Sequence, residues 1–129
     1  MDCLFCKIIE GSIPSRTIYE DEKVKVFLDI SPNTNGHCLI IPKKHIVTVN
    51  ELDNELIAHI LEVEKKMYKL LKDKLNIEGL TIAQNNELGQ EIKHYHVHLI
   101  PRYKNDNWTT IYNKETLNNL DDIYNKIVN

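Results

Sequence analysis

The amino-acid sequence predicts an α+β fold whose sheet is largely antiparallel, and three features carry that prediction. Several short runs have the apolar alternation or the continuous apolar character of strands. One long segment has the periodicity of an amphipathic helix. A shorter helical pattern lies near the carboxyl terminus. Strands grouped around a single long helix are typical of α+β domains.

The first two strands are predicted in residues 17–28, on either side of a polar turn at residues 21–23. In the second strand, three apolar residues alternate with a lysine and Phe27, a pattern that places one face of the strand against a core. Residues 29–36 are rich in turn formers and predict a loop. The continuous apolar run at residues 37–42 then predicts a strand covered on both faces.

The long helix is predicted between Asp53 and Leu75, where apolar residues recur at helical spacing and Glu and Lys occupy the opposite face. Asp53 or Asn50 is expected to cap its start, and Gly79 lies just past its expected end. Two further strands and a short amphipathic helix near the carboxyl terminus complete the pattern. The strands span residues 80–84 and 95–100, and the apolar positions of the short helix are Leu117, Leu120, Ile123 and Ile127.

The chain has 129 residues, 42% of them apolar and 27% charged, which suits one globular domain over residues 1–129. A net charge of −3 argues against a nucleic-acid-binding surface, although binding a single nucleotide needs only a few donors. No run is long enough to cross a membrane, and the first residues lack the layout of a signal peptide. With three cysteines, an odd number, the chain is expected to reside in the reducing cytoplasm.

Half of the six histidines lie in the segment His94-Tyr95-His96-Val97-His98. On a strand they share one face, while the residues between them face the core. Neighbouring histidines are then roughly 6.5–7 Å apart along the backbone, and the outer pair is about 13 Å apart. Because zinc lies only about 2.0–2.1 Å from a histidine nitrogen, one metal can hardly bind all three on a straight strand. At least one imidazole therefore has another role.

Nucleophilic catalysis is the role that this alternation favours over a surface strand that happens to carry histidines. A neutral imidazole can attack phosphorus near pH 7 and form a bond labile enough to pass the group on. A neighbouring histidine can stabilise charge on the phosphoryl oxygens or protonate a leaving group. His96 has a histidine on either side, so it is the best-placed nucleophile.

Cys3 and Cys6 form a single C-x-x-C motif, for which a redox pair, a structural zinc site and free thiols are the alternatives. A redox pair normally follows a strand inside a βαβ unit, whereas this motif starts the chain. A zinc site needs two more ligands, and the sequence offers His45 and one end of the histidine triplet. Cys38 lies in a strand pattern and is expected to be a core residue.

These motifs together resemble the histidine-triad (HIT) family, in its bacterial, Hint-like branch. Residues 94–100 match the family pattern His-φ-His-φ-His-φ-φ, where φ is apolar, and Pro-Arg follows them as in bacterial members. The resemblance also covers the stretches CLFCKIIEGSIPS, VFLDISPNTNGHCLIIPKKH and GLTIAQNN, in the order of the family. It therefore runs over roughly residues 3–103 of the chain.

The resemblance implies a HIT-like fold, with a five-stranded antiparallel sheet and a long helix, usually paired into a homodimer. Family members hydrolyse or transfer nucleotides attached through the α-phosphate, as in nucleoside phosphoramidates or dinucleotides. They work through a nucleotidyl-histidine intermediate and need no catalytic metal. A purine nucleotide is the substrate that the resemblance leads us to expect.

The resemblance also assigns roles residue by residue. His96 matches the nucleophile, His98 the third triad histidine beside the phosphate, and His37 a further pocket histidine. Asp29 matches the carboxylate that accepts both ribose hydroxyls, and Asn85 matches an asparagine on the phosphate side.

An apolar slot for the base and a metal site complete the implied constellation. Residues that could wall the slot, or simply belong to the core, are Phe5, Ile8, Phe27 and Ile30. In zinc-bearing bacterial members the metal is structural, and its ligands correspond to Cys3, Cys6, His45 and His94. A staple of this kind that holds His94 would also hold the strand that carries His96.

Two regions depart from the family pattern or lie outside it. Glu91 occupies the position at which the animal branch has a serine that touches the phosphate, and a carboxylate there would repel a phosphate. We therefore assign it no phosphate-binding role. Trp108 and the polar tail around it could line the leaving-group side, form a dimer contact or pack against the core.

Two other interpretations remain open at the level of sequence. The first is a zinc-stapled module that senses a nucleotide or binds a partner, with incidental turnover. The second is a metalloenzyme whose zinc is bound by His96 and His98. The intact triad argues against an inactive enzyme but does not reveal which activity the cell uses.

Overall fold

The computed structural model describes residues 2–129 and contains a five-stranded antiparallel sheet of strand order β1-β2-β3-β5-β4. The predicted α+β class and the predicted antiparallel sheet are therefore confirmed. The strands are β1 (Thr17–Glu20), β2 (Val24–Leu28), β3 (Cys38–Pro42), β4 (Gly79–Gln84) and β5 (Val97–Arg102). The helices are α1 (Leu4–Glu10), α2 (Asn54–Leu75) and α3 (Leu120–Val128). In the described part of the chain, no helix has both the length and the apolar character required to cross a membrane.

Two hydrophobic clusters cover the two faces of the sheet. The larger one joins α2 to one face and includes Val24, Val26 and Val97. The smaller one joins α1 to the other face and includes Phe5 and Phe27. Strand β3, which contributes to both clusters, is buried along its whole length, as its continuous apolar run predicted. The sequence predicted that only one face of β2 would be buried. Phe27, on the other face, is also buried, because α1 covers that face.

Helix α2 (Asn54–Leu75) begins and ends where the sequence predicted. The Asp53 carboxylate caps its start by accepting a hydrogen bond from the Leu56 N–H at 2.8 Å. Asn76 ends it in the left-handed region, with φ of 53°, and its N–H donates to the Lys72 carbonyl. Gly79 lies past the end of the helix, as predicted, but it is the first residue of β4 and not the residue that ends α2. Asparagine tolerates the left-handed conformation and can replace glycine at this position.

The histidine segment starts its strand two residues later than predicted, at Val97. The Tyr95 N–H donates to the Ile46 carbonyl at 2.6 Å, so this residue bonds to a loop and not to a neighbouring strand. The predicted division into faces nevertheless holds for the residues between the histidines. Tyr95, Val97 and Leu99 all belong to the cluster beneath α2.

The carboxyl-terminal region forms the predicted short helix, but its apolar side chains stay largely exposed. Leu120 is 82% and Ile127 is 77% exposed, and Leu117 lies before the helix begins. Trp108 packs against the Arg102 guanidinium at 4.6 Å from the ring centroid. Arg102 in turn makes two hydrogen bonds to the Asp106 carboxylate. Trp108 thus packs on an arginine at the surface, where it is 47% exposed, and it is not part of either hydrophobic cluster of the described residues.

The loop between β2 and β3 is closed by its own backbone. The Asp29 N–H donates to the His37 carbonyl at 3.0 Å, and the His37 N–H donates to the Thr34 carbonyl at 3.1 Å. The Thr34 hydroxyl donates to the Pro101 carbonyl at 2.7 Å, which ties the loop to β5. Gly36 has a positive φ of 92°, and a Cβ there would lie 2.7 Å from a Leu75 methyl carbon. The loop thus holds Asp29 and His37 at its two ends.

Replacing Gly36 with alanine should destabilise the protein more than replacing Gly11, which has a similar φ of +90° but open space where a Cβ would lie, with no heavy atom within 4 Å. Both substitutions force an L-residue into the left-handed region, at a cost of about 1–2 kcal/mol. Only Gly36→Ala adds overpacking, worth about 1–3 kcal/mol more. Urea unfolding of both variants measures the difference, and equal losses would contradict the steric argument.

Candidate active site and metal cluster

One cavity of about 930 Å³ contains every residue predicted to act on or bind a nucleotide. Its volume lies in the range of small-molecule sites. It is lined by α1, by the loop that follows β2, by the segment between β4 and β5, and by β5 itself. The predicted residues on its wall are Asp29, Ile30, His37, Asn85, His96 and His98, and Glu91 lies there too.

His96 is buried, and its ring is oriented by the backbone of another triad residue. Its Nδ1 lies 2.7 Å from the carbonyl oxygen of His94. Since a carbonyl can only accept, His96 Nδ1 carries the proton. In a neutral ring the lone pair is then on Nε2. Residue patterns carry no sign of this contact, because the acceptor is a backbone atom.

A second chain of hydrogen bonds orients His98. The Asn33 N–H donates to His37 Nδ1 at 3.0 Å, so His37 carries its proton on Nε2. That Nε2 lies 3.0 Å from His98 Nδ1, which accepts. A neutral His98 then has its own N–H at Nε2. The rings of His96 and His98 have their centroids 5.0 Å apart, so a lone pair and an N–H donor stand side by side.

Burial favours the neutral forms of His98 and His37 by lowering the pKa of each ring. Desolvation, followed by the neighbouring His96 and His37, lowers the pKa of His98 to about 4, while Asp29 opposes the shift. Desolvation also lowers the pKa of His37, again against the effect of Asp29. Neutral rings are required for the hydrogen-bond chain described above, because a doubly protonated His37 could not accept from Asn33.

Asp29 is held by the loop that carries it. Its Oδ1 accepts from the Ser31 N–H at 2.8 Å, and its Oδ2 lies 3.5 Å from His37 Nε2. The carboxylate lines the cavity and remains partly exposed, so it can accept further hydrogen bonds from a bound molecule.

Phe5, Ile8 and Phe27 are buried core residues that also line the cavity, where other apolar residues such as Leu39 extend the apolar wall. They are therefore core residues, as one of the two expectations had it, and their apolar surface borders the cavity. Ile30 differs, because it is 88% exposed and contributes only at the rim. Phe5 packs edge-on against His96, with ring centroids 5.1 Å apart, and against His94 at 5.8 Å.

Cys3, Cys6, His45 and His94 form a cluster whose donor atoms all lie within 4.8 Å of one another. The Sγ of Cys6 lies 3.3 Å from His45 Nδ1, and the Sγ of Cys3 lies 3.4 Å from His94 Nδ1. The two Nδ1 atoms are 3.2 Å apart. A tetrahedral site with zinc–ligand lengths has edges of about 3.3–3.8 Å, so the donor set fits zinc in both chemistry and size.

A backbone carbonyl also prepares His94 for metal binding. The Nε2 of His94 lies 2.8 Å from the Pro42 carbonyl, so its proton is on Nε2 and the lone pair on Nδ1 faces the cysteines. Spacing alone had left open which end of the triplet joins the cysteines, and the structure brings His94 to them. Burial raises the pKa of the Cys38 thiol to about 12, and this residue belongs to the core, as predicted.

Asp29, His37 and His98 are a second group of close donors. Their nitrogens already serve the hydrogen-bond chain that runs from Asn33 to His98. His96 belongs to neither donor group found among residues 2–129. The arrangement therefore gives no support to a zinc ion bound by His96 and His98.

Comparison with known proteins gives a consistent result. A model of the HIT domain family matches residues 10–105. An adenosine 5′-monophosphoramidase of Candida albicans is 43% identical over 106 residues, which cover 78% of this chain and 70% of that protein. Among solved structures, a HIT family protein of Bacillus subtilis has a TM-score of 0.81 at 41% identity, covering 98% of this chain and 95% of its own. A Zn-bound histidine triad family protein of Mycobacterium smegmatis has a TM-score of 0.79 at 36% identity, covering 84% and 81%.

The lowered pKa of His98 makes stability depend on pH. The unfolded chain takes up a proton near the ordinary value of 6.5, whereas folded His98 resists protonation down to about 4. The free energy of unfolding should therefore fall as the pH drops from about 6.5 towards 4. His98→Gln should lose less stability over that window, as measured by urea unfolding at pH 7.5 and pH 5. Both proteins share the metal cluster, so identical pH dependence would contradict the assignment.

Proposed function

The chain belongs to the HIT family, and from this premise we propose that it is a nucleotide hydrolase or transferase acting at the α-phosphate. Nucleoside phosphoramidates and dinucleotides are the proposed substrate classes. The observation that carries the proposal is the pair His96 and His98, whose tautomers leave a lone pair beside an N–H donor on the wall of a nucleotide-sized cavity. The relative named as an adenosine 5′-monophosphoramidase supports the same chemistry.

The proposal places a purine nucleoside against the apolar wall of the cavity. Phe5 and Phe27 supply flat apolar surface for the base. The Asp29 carboxylate has accepting capacity beyond its bond to Ser31 and receives the two ribose hydroxyls. Asn85, from the segment after β4, contributes on the phosphate side.

In the first proposed step, the Nε2 lone pair of His96 attacks the α-phosphorus. A P–N bond to His96 forms, and the bond from phosphorus to the leaving group breaks. The leaving group keeps the electron pair and takes a proton from solvent. The His94 carbonyl accepts from Nδ1–H and stabilises the positive charge that develops on the His96 ring. The Nε2–H of His98 donates to a non-bridging phosphoryl oxygen.

In the second proposed step, water attacks the same phosphorus. The P–N bond to His96 breaks, the nucleoside monophosphate leaves, and the neutral imidazole is restored. The attacking water gives up one proton to solvent in the process. If another hydroxyl or amine attacks instead of water, the nucleotidyl group is transferred from His96 to that acceptor. The imidazoles and backbone groups supply the charge stabilisation, so no catalytic metal is part of the proposal.

We further propose that zinc binds at Cys3, Cys6, His45 and His94 as a structural ion. The cysteines sit at the start of α1, and Cys3 is also its N-cap, because its Sγ accepts from the Cys6 N–H. A metal held there would cross-link α1 to His94, whose carbonyl orients His96. The relative described as Zn-bound supports the assignment.

The catalytic proposal is tested by incubation with adenosine 5′-phosphoramidate, rapid quenching in mild base and intact-mass measurement. The wild-type protein should gain an adenylyl-sized adduct or turn the substrate over. His96→Ala should show no adduct, and kcat should fall by at least about a thousandfold. His59→Ala is the matched control, since His59 lies on α2 outside the cavity. Binding without adduct or turnover in the wild type would favour a nucleotide-sensing module instead.

The zinc proposal is tested by elemental analysis of two cysteine variants. The wild-type protein should contain about one zinc per chain, and a chelator should lower its Tm. Cys6→Ala should lose the metal, whereas Cys38→Ala should keep it because Cys38 lies in the core, outside the cluster. Equal zinc content in the two variants would exclude the assignment.

A homodimer is part of the same proposal. Apolar side chains are exposed on the outer face of α2 and in the carboxyl-terminal region, and surfaces of this kind usually meet a partner. They include Ile57, Leu61, Leu120 and Ile127. Light scattering should give twice the chain mass of 15.1 kDa, and a monomer at micromolar concentration would refute the dimer.

A further inference from the structure

Glu91 places a negative charge on the cavity wall that the proposed mechanism does not use. Its side chain is exposed, and it lines the same cavity as His96 and His98. Among the ion pairs of residues 2–129, none involves its carboxylate. The charge is therefore available to a molecule in the cavity.

The loop that carries Glu91 is firmly held. Gln90 is 4% exposed, and its side chain donates to the Val47 carbonyl at 2.7 Å and accepts from the Glu87 N–H at 3.2 Å. The Gln90 N–H donates back to the Glu87 carbonyl at 2.9 Å. Glu91 directly follows this anchored residue, so its backbone has a fixed position at the cavity.

The nearest lysine in the chain, Lys93, forms no ion pair with Glu91. The Nζ of Lys93 donates to the Gln90 carbonyl at 2.8 Å and to the Glu87 carbonyl at 3.3 Å. Arg16 also lines the cavity, but it lies beside β2, where its carbonyl accepts from the Leu28 N–H at 3.0 Å. That position is next to Asp29 and away from the β4–β5 loop in the order of the sheet.

The sheet order shows which part of a substrate reaches Glu91. Asp29 follows β2, His98 lies on β5, and Glu91 lies in the loop from β4 to β5. Across the order β2-β3-β5-β4 the triad lies between Asp29 and that loop. Adjacent strands are about 4.8 Å apart, so β2 and β4 are separated by roughly 14 Å, and the loop with Glu91 joins β4 to its neighbour β5. With the nucleoside at Asp29 and the α-phosphate at His96, the leaving group points towards Glu91.

We propose that Glu91 determines leaving-group specificity by favouring amines that carry a positive charge and disfavouring anionic groups such as a polyphosphate chain. This inference rests on the proposed function, because it names the substrate class of the same site. In the reaction the P–N bond to the amine breaks, and the amine leaves with the electron pair and one proton from solvent. Water then completes the hydrolysis to nucleoside monophosphate. Glu91 exchanges neither protons nor electrons and acts through its charge alone.

Three adenosine 5′-phosphoramidates with five-carbon chains provide the test, since they differ only at the far end of the leaving group. Their amines are pentylamine, 1,5-diaminopentane and 5-aminopentanoate, with neutral, positive and negative ends. The wild-type protein at low salt should show a kcat/KM at least about tenfold higher for the positive than for the negative compound. The ratio should shrink at high salt, because the charge of an exposed side chain is screened.

Three variants separate the charge of Glu91 from other effects. Glu91→Gln should bring the ratio of the positive to the negative compound close to one, and Glu91→Lys should invert it. Glu62→Gln changes net charge equally on the exposed face of α2, outside the cavity, and should leave the ratio as in the wild type. A ratio that is unchanged in Glu91→Gln and Glu91→Lys would overturn the inference.

The dissociation constants of the three compounds keep this test independent of turnover. If the wild-type protein binds them but neither hydrolyses them nor forms an adduct at His96, the proposed function fails. The role of Glu91 would still be supported if the positive compound binds more tightly than the negative one and if Glu91→Gln removes this difference. If turnover occurs without any preference, the function stands and the specificity inference fails.

Discussion

The hydrogen bond from the His96 ring to the His94 carbonyl is the contact on which the site depends. At 2.7 Å between buried groups, it fixes the proton on Nδ1 and leaves the Nε2 lone pair for the cavity. The side chain of the same His94 lies in the cysteine–histidine cluster. One residue thus connects the position of the proposed metal cluster to the tautomer of the proposed nucleophile. Any displacement of His94 changes the direction and basicity of His96.

The rest of the fold holds that contact in place from both faces of the sheet. Helix α2 covers the face beneath Tyr95 and Val97, and α1 covers the face that carries the histidines. Phe5, between the two cluster cysteines in the chain, packs against both His94 and His96. Burial by these elements has a chemical consequence, since it lowers the pKa of His98 and His37 and so preserves their neutral hydrogen-bond chain.

The periodicity of apolar residues predicted the positions of the strands and of the long helix. It did not predict the features that depend on hydrogen bonds to backbone groups. Alternating apolar residues identified strands and the inward residues of the histidine segment. Apolar residues at helical spacing identified α2, and Asp53 was one of two residues expected to cap it. The alternation misplaced the start of β5, because the Tyr95 N–H bonds to the carbonyl of a distant loop residue, Ile46. Spacing could not choose between the ends of the triplet as a ligand for the cysteines. The tautomers follow from the carbonyls of His94 and Pro42 and the N–H of Asn33, none of which depends on side-chain identity.

Long-range ¹H–¹⁵N correlation spectroscopy of the imidazole rings at pH 7 tests the central claim most directly, because it reports which nitrogen of each ring is protonated. The structure requires His96 to carry its proton on Nδ1 and His98 to carry its proton on Nε2. A spectrum with those two tautomers would establish the lone pair and the donor that the proposed chemistry needs. A His96 ring protonated on Nε2 in the folded, metal-loaded protein would contradict the account, because that nitrogen could then not attack phosphorus.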